Sequence, residues 1–155
     1  MDFNQFTIKG REAIQAAQQI AVAHKNQAIE PAHILEGMID VDENVLSLIL
    51  EKQGIKMDIL KPEIDLEINK YPKIEGQQGN HLSNSGNQIL QSAQEIAKEM
   101  SDDFITLEHL LLAIIKNIST VSQLLKNRGL TFENTKILVT ELRNGERVTS
   151  ENAEG

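Results

Sequence analysis

The sequence contains no cysteine. Disulfides, thiolate catalysis and cysteine zinc sites are therefore excluded, and a reducing compartment is permitted. Aromatic residues make up only 3% of the 155 positions, so a core must be built from Ile, Leu, Val, Ala and a few Met. Such a core suits packed helices better than a β-sandwich, where aromatic and β-branched residues are dense. Positive charge is also scarce. The formal net charge is −8, and the densest basic stretch is Lys126 with Arg128. A polyanion would be repelled, which argues against nucleic acid as a partner. No apolar run approaches membrane-spanning length. Met1 to Lys9 lacks the basic flank and apolar stretch of a signal peptide. No membrane partner is expected, and the expected location is cytoplasmic. No Gly is followed by Lys, so a phosphate-cradling P-loop is absent, as is a His-Glu-x-x-His metal motif.

What is present is a repeat. Gly10 matches Gly86 at an offset of 76. At that offset Gln15, Ala17, Gln18, Ile20 and Ala21 match Gln91, Ala93, Gln94, Ile96 and Ala97. Ile29, His33, Leu35 and Ile39 then match Ile105, His109, Leu111 and Ile115. With one residue deleted, Leu50 and Gly54 match Leu125 and Gly129. Two copies of one helical unit follow, too few for a solenoid and suited to packing as a pseudo-symmetric pair.

Each unit reads as four helices, so the fold class is all-α with about eight helices in two pseudo-symmetric four-helix repeats. Thr7 and Ser83 are N-caps, whose hydroxyls accept from free first-turn amides. Ala13, Ala16, Ala17, Ile20, Ala21 and His24 follow at helical spacing in one copy, and Ile89, Ala93, Ile96, Ala97 and Met100 in the other. The second helix begins near Glu30 or Pro31, where proline is favoured, and Thr106 caps its mate. The pairs Ile34–Leu35 with Met38–Ile39, and Leu110–Leu111 with Ile114–Ile115, predict central core helices. A third helix carries Val45, Leu48 and Ile49 and ends at Gly54 in the left-handed conformation; Leu124–Leu125 and Gly129 repeat that ending. A fourth holds Ile59, Leu60, Ile64 and Ile68, and its mate Ile137, Leu138, Val139 and Leu142. The expected division is residues 1–70 for the first repeat, 71–81 for a linker rich in Pro and Gly, 82–143 for the second repeat, and 144–155 for the start of a flexible linker to an absent further domain.

Candidate chemistry is sparse. His33 and His109 are repeat mates that a two-fold could bring together as metal ligands; the plainer reading is a first-turn side chain bonding backbone beside its cap, duplicated with the sequence. Asp40, Asp42 and Glu43, and Asp102 with Asp103, could serve as acid–base pairs but read as solvated turn residues. Ser119-Thr120 and Ser83-Asn84-Ser85 read as caps rather than nucleophiles. No catalytic residue, metal ligand or cofactor is expected.

The repeated unit resembles the Clp N-terminal repeat domain. The resemblance rests on Phe6-Thr7 with Ala13, Ala17 and Ala21, on Ile29-Glu30-Pro31-Ala32-His33-Ile34-Leu35, and on Phe104 to Ala113. Glu-Pro-x-His in the first repeat and the tail Leu142 to Thr149 are similar to the ClpB branch of AAA+ disaggregases. The resemblance implies an N-terminal substrate-binding domain that engages exposed apolar segments of unfolded or aggregated polypeptides and aids their delivery to a hexamer pore. It implies as partners the ATPase domains of the same chain in a homohexamer and, through the full-length protein, a DnaK-type chaperone system. The other branch is the N-domain of a ClpC/ClpA-type protease-coupled unfoldase, which docks adaptors. Matching the family's contact positions gives Thr7, Leu90, Ile96, Asp102 and Glu108 as substrate-binding residues. Leu90 and Ile96 either line a groove between repeats or belong to the core. Ser92 and His109 stand where some relatives have Leu. Ala32 replaces an acid that the ClpC branch uses with the Glu108 equivalent to read phosphorylated arginine, which argues against such reading here.

Overall fold

The computed structural model describes residues 2–76 and 81–155. Cap chemistry sets where its helices begin. The Thr7 hydroxyl accepts from Gly10 N–H at 3.1 Å and opens α1 (Ile8–Ala23). Ser83 does the same for α5 (Asn84–Glu99), accepting from Gly86 N–H at 3.0 Å. Pro31 opens α2 (Pro31–Val41), and Thr106 caps α6 (Leu107–Lys116). Asp42 and Ser119 cap α3 (Glu43–Glu51) and α7 (Thr120–Asn127). α4 spans Met57–Lys70, and α8 spans Phe132–Leu142 behind the cap Thr131. Gly54 (φ +88°) and Gly129 (φ +95°) carry the chain out of α3 and α7 in the left-handed region. Among the described residues the fold is all-α, eight helices with no strand, as the repeat pattern predicts.

The two repeats cross at their starts. Phe6 lies beside Ile105, and Leu82 beside Ile29, each as an isolated parallel bridge. Thr7 N–H donates to Ile105 O at 2.9 Å, and Ile105 N–H to Gln5 O at 2.8 Å. Ser83 N–H donates to Ile29 O at 3.0 Å, and Ile29 N–H to His81 O at 2.8 Å. Each first helix is thus tied, at its N-terminus, to the second helix of the other repeat. The consequence is a pseudo-two-fold pair with α2 and α6 in contact at its centre. Both are apolar nearly all round: Ile34, Leu35, Met38, Leu110, Leu111 and Ile114 are each 0% exposed.

α1 and α2 pack closely because Gly37 faces α1. A Cβ there would fall 2.4 Å from the Ala13 carbonyl oxygen. The outer helices bury one face only, and four expectations change accordingly. Leu48 (46% exposed), Ile59 (46%) and Ile137 (56%) face solvent, as Leu142 (37%) does at the end of α8, while Leu46, Ile49, Leu50, Leu60, Ile64 and Val139 fill the core. In a run of adjacent apolar residues a helix can bury only those within its inner stripe.

Candidate functional site at the α1 and α6 N-termini

The repeat crossing brings the N-termini of α1 and α6 side by side. First-turn amides there lack helical partners and carry the positive end of the helix dipole. Beside the α6 N-terminus, walled by the end of α8 and the residues after it, lies a crevice of about 450 Å³, lined by Thr106, Glu108, Arg143, Val148 and Glu154 among others. A larger depression of about 550 Å³ over α3 and α4 is bordered mainly by solvated charges such as Glu43, Glu51, Asp58 and Lys61, with Lys61 paired to Glu43.

Behind the crevice is a polar network. His109 Nδ1 accepts from Thr106 N–H at 2.9 Å. That leaves its proton on Nε2, which donates to Asp102 Oδ2 at 2.7 Å. Arg143 Nη1 donates to the same oxygen at 2.7 Å, and Val148 N–H to Oδ1 at 2.8 Å. Arg143 Nε reaches across to Glu108 Oε1 at 2.8 Å. Burial by itself would push the Asp102 carboxyl up; the bonds from His109, Arg143 and Val148 overcome this and hold it well below the usual carboxylate range. Asp102 is therefore no solvated turn residue, contrary to its expectation as half of an Asp-Asp turn. Its side chain is fully enclosed, because the preceding Ser101 turns left-handed (φ 61°) and aims it inward.

The first repeat holds the same device without charge. His33 Nδ1 accepts from Glu30 N–H at 2.9 Å, and His33 Nε2 donates to Asn26 Oδ1 at 2.8 Å. Asn26 occupies the place of Asp102 and likewise follows a left-handed residue, Lys25 (φ 56°). The Tyr71 ring lies 5.3 Å from the His33 ring. Burial, helped by His24, lowers the His33 pKa to about 4. Both histidines thus bond backbone beside a cap, each inside its own repeat, and neither ring is turned to the other. Among the described residues no cluster of three or more His, Asp or Glu could hold a metal.

Arg143 joins Asp102 to Glu108, and Thr7 lies apart from that pair, against Ile105 and Glu154. Thr7 is buried, donating to Ile105 O at 3.2 Å; Asp102 lies behind the crevice, and Glu108 on its wall, partly exposed. Leu90 (0% exposed) and Ile96 (1%) lie in the core with Ile89 and Ala93, so α5 presents neither to the surface. Of the two readings open for them, this conformation adopts the core one. Two contributors escaped sequence reasoning: Arg143, which pairs with both acids, and Glu154, whose carboxylate Oε2 accepts from Leu107 N–H at 2.9 Å. Arg143 follows its repeat by the end of α8 and Glu154 lies in a polar tail, so neither carries a local signal.

The Clp repeat (R) N-terminal domain sequence model matches residues 5–128. The chain belongs to the Clp repeat N-terminal domain family. Its relatives include the chaperone protein ClpB of Bacteroides thetaiotaomicron, 44% identical over 154 residues, covering 99% of this chain and 18% of that protein. The ClpB of Porphyromonas gingivalis is 37% identical over 154 residues, with the same coverage of 99% and 18%. The chain thus spans less than a fifth of these relatives. The crystal structure of the Hsp104 N-terminal domain from Candida albicans has the same fold, with a TM-score of 0.85 at 21% identity, over 97% of this chain and 99% of that one. A Clp N-terminal domain is distinct from the catalytic ATPase domain of its AAA+ parent. Among the described residues, no helix is long and apolar enough to cross a membrane.

Proposed function

We propose that this chain is the N-terminal substrate-binding domain of a ClpB-type, ATP-dependent disaggregase of the cytoplasm. It engages exposed segments of unfolded or aggregated polypeptides and aids their delivery to the pore of a homohexamer formed by the ATPase domains of the same chain. A DnaK-type system would act with the full-length protein. The similarity to ClpB over 99% of the chain supports this branch. The observation that supports the binding reading is the crevice at the α6 N-terminus, with Glu108 partly exposed on its wall and Thr7, about a hundred residues away in the chain, enclosed behind Glu154 at its edge. The Glu108 carboxylate offers an acceptor to an extended backbone, and the Ile8 and Leu107 amides, bonded to Glu151 and Glu154, offer donors when released. Leu90 and Ile96 lie in the core and hold α5 in place. A tethered site of this kind raises the local client concentration without tight affinity.

The test is capture of a permanently unfolded protein, carboxymethylated α-lactalbumin, by fluorescence anisotropy. Glu108→Gln should weaken binding about tenfold, the effect of a charged hydrogen bond worth about 1.5 kcal/mol. Glu12→Gln on the exposed face of α1 should change nothing. Equal binding by the Glu108→Gln chain would remove the crevice from the reading.

A further inference from the structure

One wall of the crevice is formed by residues 144–154. Residues 144–155 form no helix, yet they follow the surface from α8 to the α1 N-terminus, held by exposed pairs of Arg147 with Asp103 and Arg11 with Glu151 and by three attachments to amides or enclosed groups. At the first, Val148 is 7% exposed. Its N–H donates to Asp102 and its carbonyl accepts from Asp103 N–H, both at 2.8 Å. At the second, Glu151 O accepts from Ile8 N–H, a first-turn amide of α1, at 2.8 Å. At the third, Glu154 accepts from Leu107 N–H, a first-turn amide of α6, with the Thr7 hydroxyl beside it. The segment therefore takes one free amide from each converging helix and covers Thr7, with Glu154 near Glu108.

We propose that residues 148–154 are a removable strap, which must leave before a client beside Glu108 reaches Thr7 and the Ile8 and Leu107 amides. This rests on the client-binding reading above. The last attachment is built to release. Glu154 Oε1 is buried with no partner, so the carboxylate holds one good bond while half of it is desolvated for nothing. Burial accordingly raises the Glu154 pKa, against the lowering effect of Thr7 and the Leu107 amide. The strap also has one place to sit. In the first repeat the position of Leu107 is held by Pro31, which has no amide to offer a carboxylate. The charged repeat thus carries a covered site that its neutral mate cannot copy. A site covered most of the time binds its ligand more weakly by the fraction of time it is open.

The experiment compares the 155-residue chain with its Glu154→Ala variant and with a chain ending at Val148. Hydrogen exchange at the Ile8 and Leu107 amides reads the strap, since Glu151 and Glu154 are their acceptors. Anisotropy with carboxymethylated α-lactalbumin reads the site. Both changes should speed exchange at Leu107 roughly tenfold or more, and the shortened chain should do so at Ile8 as well. Client affinity should rise about five- to tenfold, as for a site open a tenth to a fifth of the time. Unchanged Leu107 exchange in both variants overturns the strap. Faster exchange with unchanged or weaker client binding overturns its role as a cover. If no form binds the client while exchange responds, the client reading fails and the gating fails with it, the docked segment remaining as a separate result.

Discussion

Asp102 and Asn26 sit at equivalent places in a duplicated sequence, and one atom of difference between carboxylate and amide has redirected a repeat. The amide needs only neutral partners: His33 at 2.8 Å and the His24 and Pro72 carbonyls, each at 3.4 Å. The carboxylate needs a cation, and Arg143 supplies it at 2.7 Å. Removing one partner of an enclosed pair leaves the other charge unmet, at a cost of about 3–5 kcal/mol. Asp102→Ala should therefore lose about that much stability by urea denaturation, whereas Asn26→Ala, which strands only a neutral ring, should lose about 1–3 kcal/mol. The pH dependence follows from the signs. Asp102 has a depressed folded pKa, so its contribution is present above its unfolded value of 3.8 and is lost as pH falls through the lower folded one. His33, lowered from 6.5 to about 4, also contributes fully above its unfolded value and loses that contribution as pH falls from 6.5 towards 4. Melting temperature should thus decline in two stages on acidification. By NMR, the His33 ring protons should titrate with a midpoint near pH 4; a midpoint near 6.5 would mean that the ring is not enclosed.

At the scale of elements, the α2–α4 contact works in the opposite sense. Glu36 on α2 faces Asp65 on α4, with Asp40 near and Lys61 as the opposing charge. Burial first, then the hydrogen bond to Asp65 and the neighbouring acids, raises the Glu36 pKa to about 7. A raised carboxyl favours the folded state in its protonated form. Its contribution is complete below the unfolded value of 4.5 and is lost as pH rises through about 7. Glu36→Gln, which keeps a donor permanently in place, should raise the melting temperature at pH 8 and leave it nearly unchanged at pH 5. A gain of equal size at both pH values would point to something other than the shared proton. The α1–α2 contact makes a steric prediction. Gly37→Ala places a methyl against the Ala13 carbonyl, and overpacking of this kind costs about 1–3 kcal/mol. The caps at Thr7, Ser83 and Thr106 were legible in the sequence because they act within one turn. The left-handed endings at Lys25 and Ser101 were not, since neither is glycine and each is imposed by the side chain it delivers inward.

Over the whole molecule, the repeats are not two beads. Each lends its opening segment to the other, through Thr7 on Ile105 and Ser83 on Ile29, and α2 and α6 share the centre. The chain should melt in a single transition by circular dichroism and calorimetry. Residues 1–76 expressed alone should show little helix, because Ile29 and Ala28 would lose their cover and α2 its partner. A folded, cooperative half would refute that interdependence. The sequence by itself determined the all-α class, the four-helix unit and its duplication, the caps, the two inner helices and the family. All of these depend on residues within a few turns of one another or on a fixed offset between copies. Only the tertiary structure decided that Leu90 and Ile96 are enclosed, that Leu48 and Ile137 are exposed, that Asp102 is buried against Arg143, and that a polar tail lies across two helix N-termini. Periodicity tells which face of a helix is apolar, whereas burial depends on what is packed against that face. An ion pair or a docked strap between distant segments leaves no spacing in the chain, because the distance that matters is closed only when the repeats cross.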